Sequence, residues 1–227
     1  LGSLNSMLAD AMALKAQLPS PKVVDFKHAA STLWPYLTNK WANIDSMVKF
    51  GWPYLDDQTG GLMPGDLISL IGRAGEGKTW FLLWICLNIW QQTKQPMLFV
   101  SMEMGRYPIL ERLAAIHTQT EADFFKFGMG ATLFGQSVKK TVKNKLVMLE
   151  ASDMPPFIVV DGDLTATVDE VVSLAMLYNV VAVGVDGAYL LEAANAKTMY
   201  DAAAINCRGL KKKLAGGIGI PTLATYQ

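Results

Sequence analysis

The chain has 227 residues, 51% of them hydrophobic and 18% charged, with 20 Lys+Arg against 20 Asp+Glu. A net charge of zero excludes a generally basic nucleic-acid coat, though not a local basic groove. Cys86 and Cys207 are too far apart for a CxxC site or a disulfide framework, and His28 and His117 lack metal-ligand spacing, which argues against a zinc enzyme.

In chain order, Leu4, Met7, Leu8, Ala11, Met12, Leu14 and Leu18 recur at helical spacing until Pro19-Ser20-Pro21 stops the helix. Residues 22–45 read as a loosely helical connector carrying Phe26, Trp34, Tyr36 and Trp41. Gly60-Gly61 and Pro64-Gly65 are turn signals. After them come a strand at Leu67–Ile71, a long apolar helix at Trp80–Trp90, a buried strand at Met97–Val100 and a helix around Tyr107–Thr118. Residues 120–150 look helical and hold the basic run Lys139, Lys140, Lys143 and Lys145. There follow strand Phe157–Val160, helix Val168–Tyr178, strand Val180–Val185, helix Ala202–Leu214 and strand Thr222–Tyr226. Short apolar strands alternating with helices predict an α/β fold with a mainly parallel sheet covered on both faces.

The charge-free runs Thr79–Thr93 and Val171–Val185 fall short of the roughly 20 residues of a membrane span. The N-terminus lacks the basic segment of a signal peptide. The expectation is a soluble, cytoplasmic chain.

Gly72-Arg73-Ala74-Gly75-Glu76-Gly77-Lys78-Thr79 matches GxxxxGK[ST], between a predicted strand and a predicted helix. Its glycines allow backbone N–H groups to converge on phosphate oxygens, and the helix N-terminus adds unpaired donors and a favourable dipole. Lys78 is placed to reach the β- and γ-phosphates of ATP, and the Thr79 hydroxyl to hold Mg²⁺. Glu76 brings a carboxylate to an anion site, so its side chain is expected to point to solvent. Trp80 follows directly, between a packing role shared with Trp84 and Ile85 and a contact with the nucleotide. Asp186 ends one apolar run and Asp161 ends another, and either can supply the metal carboxylate. Glu103, in Ser101-Met102-Glu103-Met104, is the candidate for activating water. His117 adjoins the apolar residues Leu110, Leu113 and Ile116 and reads as a satisfied or surface histidine. The lysines 139–145 and 211–213 read first as solvated helix faces.

With these residues placed, the chain from about Phe50 to Gln227 resembles the C-terminal RecA-like ATPase domain of DnaB-type replicative helicases. The resemblance opens with Gly51-Trp52-Pro53-Tyr54-Leu55-Asp56 and Thr59-Gly60-Gly61-Leu62-Met63-Pro64-Gly65-Asp66-Leu67, ahead of the phosphate loop. It continues through Phe99–Met104, Val183-Gly184-Val185-Asp186, Arg208-Gly209-Leu210-Lys211 and Ile220–Gln227. It implies that Glu103 is catalytic, that Asp186 rather than Asp161 lies on the Walker B strand, and that Gln227 senses the γ-phosphate. It further implies a RecA-like P-loop domain over residues 46–227, preceded by a linker helix and connector over 1–45. The implied protein is an ATP-driven helicase ring, a hexamer with Mg-ATP at subunit interfaces. Its partners would be single-stranded DNA and a primase or helicase loader, in the cytoplasm of a bacterium or a phage-infected cell. Two features depart from the pattern. After Asp186 the chain reads Gly187-Ala188-Tyr189, where the family usually has an aromatic-aliphatic-Gln run. The match also stops at Gln227, before any residue matching the family's arginine finger, so the chain by itself is expected to hydrolyse ATP slowly. The alternatives are a recombinase or clock-type RecA-fold ATPase without unwinding, and a nucleotide-gated assembly protein that does not turn ATP over.

Overall fold

The computed structural model describes residues 26–42, 47–128, 133–163 and 166–227. The helix expected at residues 4–18 lies outside them. The chain divides into two compact units, residues 1–46 and 47–227. In the first unit a 3₁₀ turn at Phe26–His28 leads into α1 (Ala29–Ala42), where Trp34 and Trp41 meet edge to face at 5.7 Å. Pro35 lies inside this helix, and the Thr38 hydroxyl donates to the carbonyls of Trp34 and Pro35 around it.

The second unit is built on five parallel strands: β1 (Leu67–Ile71), β2 (Met97–Ser101), β3 (Phe157–Asp161), β4 (Ala182–Asp186) and β5 (Thr222–Tyr226). Their order across the sheet is β1-β5-β4-β2-β3. The helices are α2 (Pro53–Thr59), α3 (Lys78–Thr93), α4 (Arg106–Thr118), α5 (Ala122–Phe127), α6 (Leu133–Glu150), α7 (Val168–Leu177) and α8 (Met199–Gly209). Side chains alternate between the faces with the period of two that a strand dictates. Met97 and Phe99 of β2 join one apolar cluster with Leu82, Ile85, Cys86 and Ile89 of α3 and Ile109 of α4. Leu98 and Val100 join the other, with Val171 and Ala175 of α7, and with Leu210 and Leu214. All five residues of β2 and of β4 are buried, as expected of central strands covered on both faces.

The lead-in to β1 is fixed by its own polar groups. The Asp56 carboxylate accepts the Phe50 and Gly51 amides at 2.7 and 3.1 Å, and Asp66 accepts the Met63 amide at 2.8 Å. Gly61, at φ +102°, lies where a Cβ would stand 2.6 Å from the Val48 carbonyl.

Several elements differ from the sequence expectation. The span 120–150 is two helices, because Gly128 ends α5 in the left-handed conformation. β4 begins at Ala182: the Val180 amide still bonds the Ala175 carbonyl as α7 ends, and Asn179 turns the chain at φ +47°. The helix expected at Ala202–Leu214 starts at Met199 behind the Thr198–Asp201 capping box. It then continues as a π-helix over Leu210–Ile218. Gly216 and Gly217 permit that wider turn, since a Cβ on either would stand 3.0 Å from the Lys211 or Lys212 carbonyl. Of the lysines there, Lys211 donates to the Gly65 carbonyl and Lys213 pairs with Asp169, both at 2.7 Å. On α4 the buried side is Ile109 and Leu113, with Ile116 packed against it, while Leu110 is 45% exposed. His117 is not satisfied as expected, because its Nδ1 is buried without a hydrogen-bond partner. Burial, and then the Lys145 charge, push its pKa below the usual histidine value.

Candidate active site

The site lies at the carboxyl ends of the strands, where ligands bind in open parallel sheets. The loop Gly72–Gly77 joins β1 to α3, and Gly77 is the N-cap of that helix at φ +84°. Gly75 adopts φ +82°, and at both glycines the position of a Cβ faces open space. Only residues without a Cβ take this path cheaply, and it leaves room for an anion at the helix N-terminus. The Lys78 Nζ folds over the loop and donates to the carbonyls of Gly72 and Arg73 at 2.7 and 2.9 Å.

Glu76 differs from expectation. It is exposed, but its carboxylate turns back and accepts the Arg73 amide at 2.7 Å. Its charge is thereby partly compensated within the loop. A Cβ at residue 72 would stand 2.6 Å from Glu76 Oε2, so this arrangement needs Gly72.

Thr79 and Asp186 meet beneath the loop. The Thr79 hydroxyl lies 2.9 Å from Asp186 Oδ2 and 3.1 Å from Oδ1. Thr225 of β5 donates to Asp186 Oδ1 at 2.9 Å and accepts the Gly187 amide at 2.7 Å. Asp186 is 1% exposed. Burial raises its pKa above the usual carboxylate range, against the hydrogen bonds from Thr225 and Thr79 and the positive charge of Arg112. A buried carboxylate beside a hydroxyl oxygen, at the mouth of a phosphate loop, fits a hard divalent cation that brings its own oxygen ligands. Thr79 and Asp186 are the residues that would hold it.

Asp161 stands apart. It ends the outer strand β3 and accepts the Arg106 Nε at 3.1 Å and the Arg106 amide at 3.2 Å. Its contacts are those of a helix-anchoring group at the start of α4.

Glu103 follows β2, in a turn where the Met104 amide donates to the Ser101 hydroxyl at 3.1 Å. Its Oε1 accepts the Tyr189 hydroxyl at 2.6 Å, and the same phenol oxygen lies 3.2 Å from Gln227 Oε1. Lys78, Thr79, Trp80, Glu103, Arg112 and Gln227 line one cavity of about 250 Å³. Trp84 packs against the core and stacks on Phe81, whereas Trp80 lies in this cavity with the Arg112 guanidinium 5.2 Å from its ring centroid.

Sequence reasoning missed three members of this neighbourhood. Thr225 lies in the strand that leads to Gln227 and was given no role of its own, and Arg112 carried no motif signal. Tyr189 sits in the segment that departs from the helicase pattern, which was the available hint.

The sequence model of the DnaB-like helicase C-terminal domain matches residues 48–227. The chain is 33% identical over 113 residues to the replicative DNA helicase DnaB of Nostoc sp., a match covering 50% of this chain and 12% of that protein. It is 30% identical over 118 residues to DnaB of Haemophilus influenzae, covering 48% of this chain and 25% of the relative. The chain therefore spans only a minor part of the curated relatives it matches. Among solved structures, it superimposes on a DnaB-like replicative helicase described with its primase interactions, with TM-score 0.73 and 20% identity, over 96% of this chain and 52% of that one. A second solved structure, described as an ATPase domain, gives TM-score 0.71 and 21% identity, over 90% and 71% of the two chains. These likenesses show the RecA-like α/β fold.

Proposed function

Because the chain belongs to the DnaB-like helicase C-terminal domain family, we propose that it is the motor domain of a replicative DNA helicase that binds and hydrolyses Mg-ATP. The observation that carries this reading is the buried Thr79–Asp186 pair under a glycine loop, with Glu103 on the next strand end and facing the same cavity.

In this reading the phosphates of ATP enter above the N-terminus of α3. Lys78 exchanges two neutral carbonyl acceptors, Gly72 and Arg73, for phosphate oxygens, and the new bonds join opposite charges. Magnesium, when bound, neutralises phosphate charge beside Thr79 and Asp186. Glu103 accepts a hydrogen bond from water and orients its oxygen toward the γ-phosphorus, where it displaces the bridging oxygen of ADP. Gln227, in the same cavity, donates its side-chain amide to the γ-phosphate. Trp80 and Arg112 form the cavity's further wall.

The family further supports a homo-oligomeric ring, a hexamer in the intact protein, acting on single-stranded DNA with a primase or loader as partner. A ring of this kind completes each site with a neighbour's residue, so turnover rises steeply with protein concentration. Among the described residues no helix is long and apolar enough to cross a membrane. The central experiment compares the chain with its Glu103→Gln variant. Calorimetry should give Mg-ATP affinities within a few-fold of each other, while phosphate release by the variant falls to background. Equal turnover in the two proteins would overturn the assignment.

A further inference from the structure

We propose that Tyr189 is a positioning residue that ties the carboxylate of Glu103 and the amide of Gln227 into one hydrogen-bonded chain. The proposal rests on the reading of Glu103 and Gln227 given above.

A phenol has one proton and two lone pairs. The 2.6 Å contact to Glu103 Oε1 is the shorter one, and a carboxylate is the stronger acceptor, so the proton goes there. The phenol oxygen then has only acceptor capacity left for Gln227, at 3.2 Å. An amide turned by half a revolution satisfies it, with Nε2 donating to the phenol. The chain of donors therefore runs from Gln227 through Tyr189 to Glu103. Burial, and then the bond and charge of Glu103, push the Tyr189 pKa up to about 12, so the phenol remains a donor at neutral pH.

The backbone around Tyr189 is shaped for this contact. Gly187 adopts φ +79°, and a Cβ there would stand 2.9 Å from Glu103 Cγ. The Glu103 stem thus passes close over Gly187, just beyond the end of β4. Tyr189 itself sits on a 3₁₀ turn, Ala188–Leu190, that is held from both sides. The Gly187 amide is bound by Thr225, and the buried Asn206 amide donates to the carbonyls of Ala188 and Leu191 at 3.2 and 2.7 Å. A side chain on a fixed turn can hold a partner that stands on a loop.

A bulky residue at 187 would meet Glu103 at a positive φ, whereas glycine lets the carboxylate reach across to residue 189. When the γ-phosphate takes the Gln227 amide, the phenol exchanges one partner and keeps Glu103. Phosphate sensing and placement of the base are thereby joined through one oxygen atom.

Tyr189→Phe removes that oxygen and keeps the ring. The expected result is a turnover number about tenfold lower, with Mg-ATP affinity within about twofold of the original. One further measurement makes no use of turnover. Equilibrium unfolding of Tyr189→Phe, Glu103→Ala and the double variant should be non-additive, because the two groups are in contact. Gly187→Ala should reproduce the Phe phenotype from the opposite side, by displacing Glu103. Strict additivity in unfolding, an unchanged turnover number in Tyr189→Phe, or equal losses of affinity and turnover would each overturn the proposal. If the parent chain neither binds nor hydrolyses Mg-ATP, the reading of the site fails, and the unfolding cycle still decides the Tyr189–Glu103 contact.

Discussion

Asp186→Asn tests whether the buried carboxylate serves binding rather than folding. In the folded chain Asp186 is 1% exposed, and its hydrogen bonds come from the hydroxyls of Thr79 and Thr225. Burial raises its pKa from 3.8. A carboxyl group with a raised folded pKa contributes stability that is present in full below its unfolded value and is lost as pH rises through its folded value. Above that folded value the fold therefore carries the unfavourable term of a buried charge, and asparagine removes it. Against this, the amide nitrogen cannot accept from a hydroxyl, and one unmatched threonine costs about 1–3 kcal/mol.

The two effects oppose each other, so Asp186→Asn should change unfolding free energy by no more than about 1–2 kcal/mol in either direction. Mg-ATP binding should respond differently. Loss of one charge-assisted interaction, about 1.5–3 kcal/mol, corresponds to roughly 10- to 150-fold weaker affinity. Asp161→Asn is the control. Its partner Arg106 has a side chain 49% exposed, so the ion pair contributes about 1 kcal/mol or less, and nucleotide affinity should be unchanged. Urea unfolding with and without Mg-ATP, together with calorimetry, measures all of these quantities. If Asp161→Asn abolished binding in a folded protein while Asp186→Asn bound normally, the strand assignment would be wrong.

Lys78→Ala should weaken Mg-ATP binding by two orders of magnitude or so, since it removes the cation facing the phosphates, with little change in unfolding midpoint; unchanged affinity by calorimetry would contradict the loop assignment. Gly184→Ala should destabilise by about 1–3 kcal/mol in urea, because a Cβ there meets Cys86 Sγ at 2.6 Å and Phe99 Cδ2 at 3.1 Å between α3 and β4. His117, whose folded pKa is lowered, contributes stability that is intact above the unfolded value of 6.5 and falls as pH drops through the folded value. The unfolding midpoint of the parent chain should therefore decline between pH 7 and pH 5 more steeply than that of His117→Gln, and parallel curves would show that the ring is not desolvated.

The elements most legible in the sequence are those where local and global preferences agree. Leu67–Ile71 and Thr222–Tyr226 are strands at the expected residues, each opening just after a Gly or Pro turn signal. The phosphate loop is legible because its glycines answer to one backbone path. Boundaries fail where a tertiary contact overrides the local signal. Val180 and Val181 look like strand, but the first closes α7 and the Val181 amide bonds the Pro96 carbonyl ahead of the ladder. Gly216-Gly217 looks like a stop, yet it sustains a π-helix whose carbonyls need the space. Tyr189, Arg112 and Thr225 were not legible as site residues. Each acquires its contact from a different segment, and nothing in its own neighbourhood signals that partner.

The ambiguity between the two aspartates shows what topology adds. In sequence, Asp161 and Asp186 each end a short apolar run and carry the same local signal. In the sheet they flank Ser101 on opposite sides, since Ser101 is in register with both. The strand order then fixes the sequence of groups along the carboxyl ends: the phosphate loop after β1, Gln227 after β5, Asp186 ending β4, Glu103 after β2 and Asp161 ending β3. Neighbouring strands lie about 4.8 Å apart, so Asp161 stands roughly 10 Å farther from the loop than Asp186 does. That distance is too great for one cation to touch both the Thr79 hydroxyl and the Asp161 carboxylate. The chain reaches β2 from β1 by passing over two strands that are made later. This leaves Asp186 and Gln227 between the loop and Glu103, where phosphate, cation and water would have to meet. The pattern of strands and helices is legible in the sequence, but this order is not, and the order is what separates the proposed metal carboxylate from its look-alike.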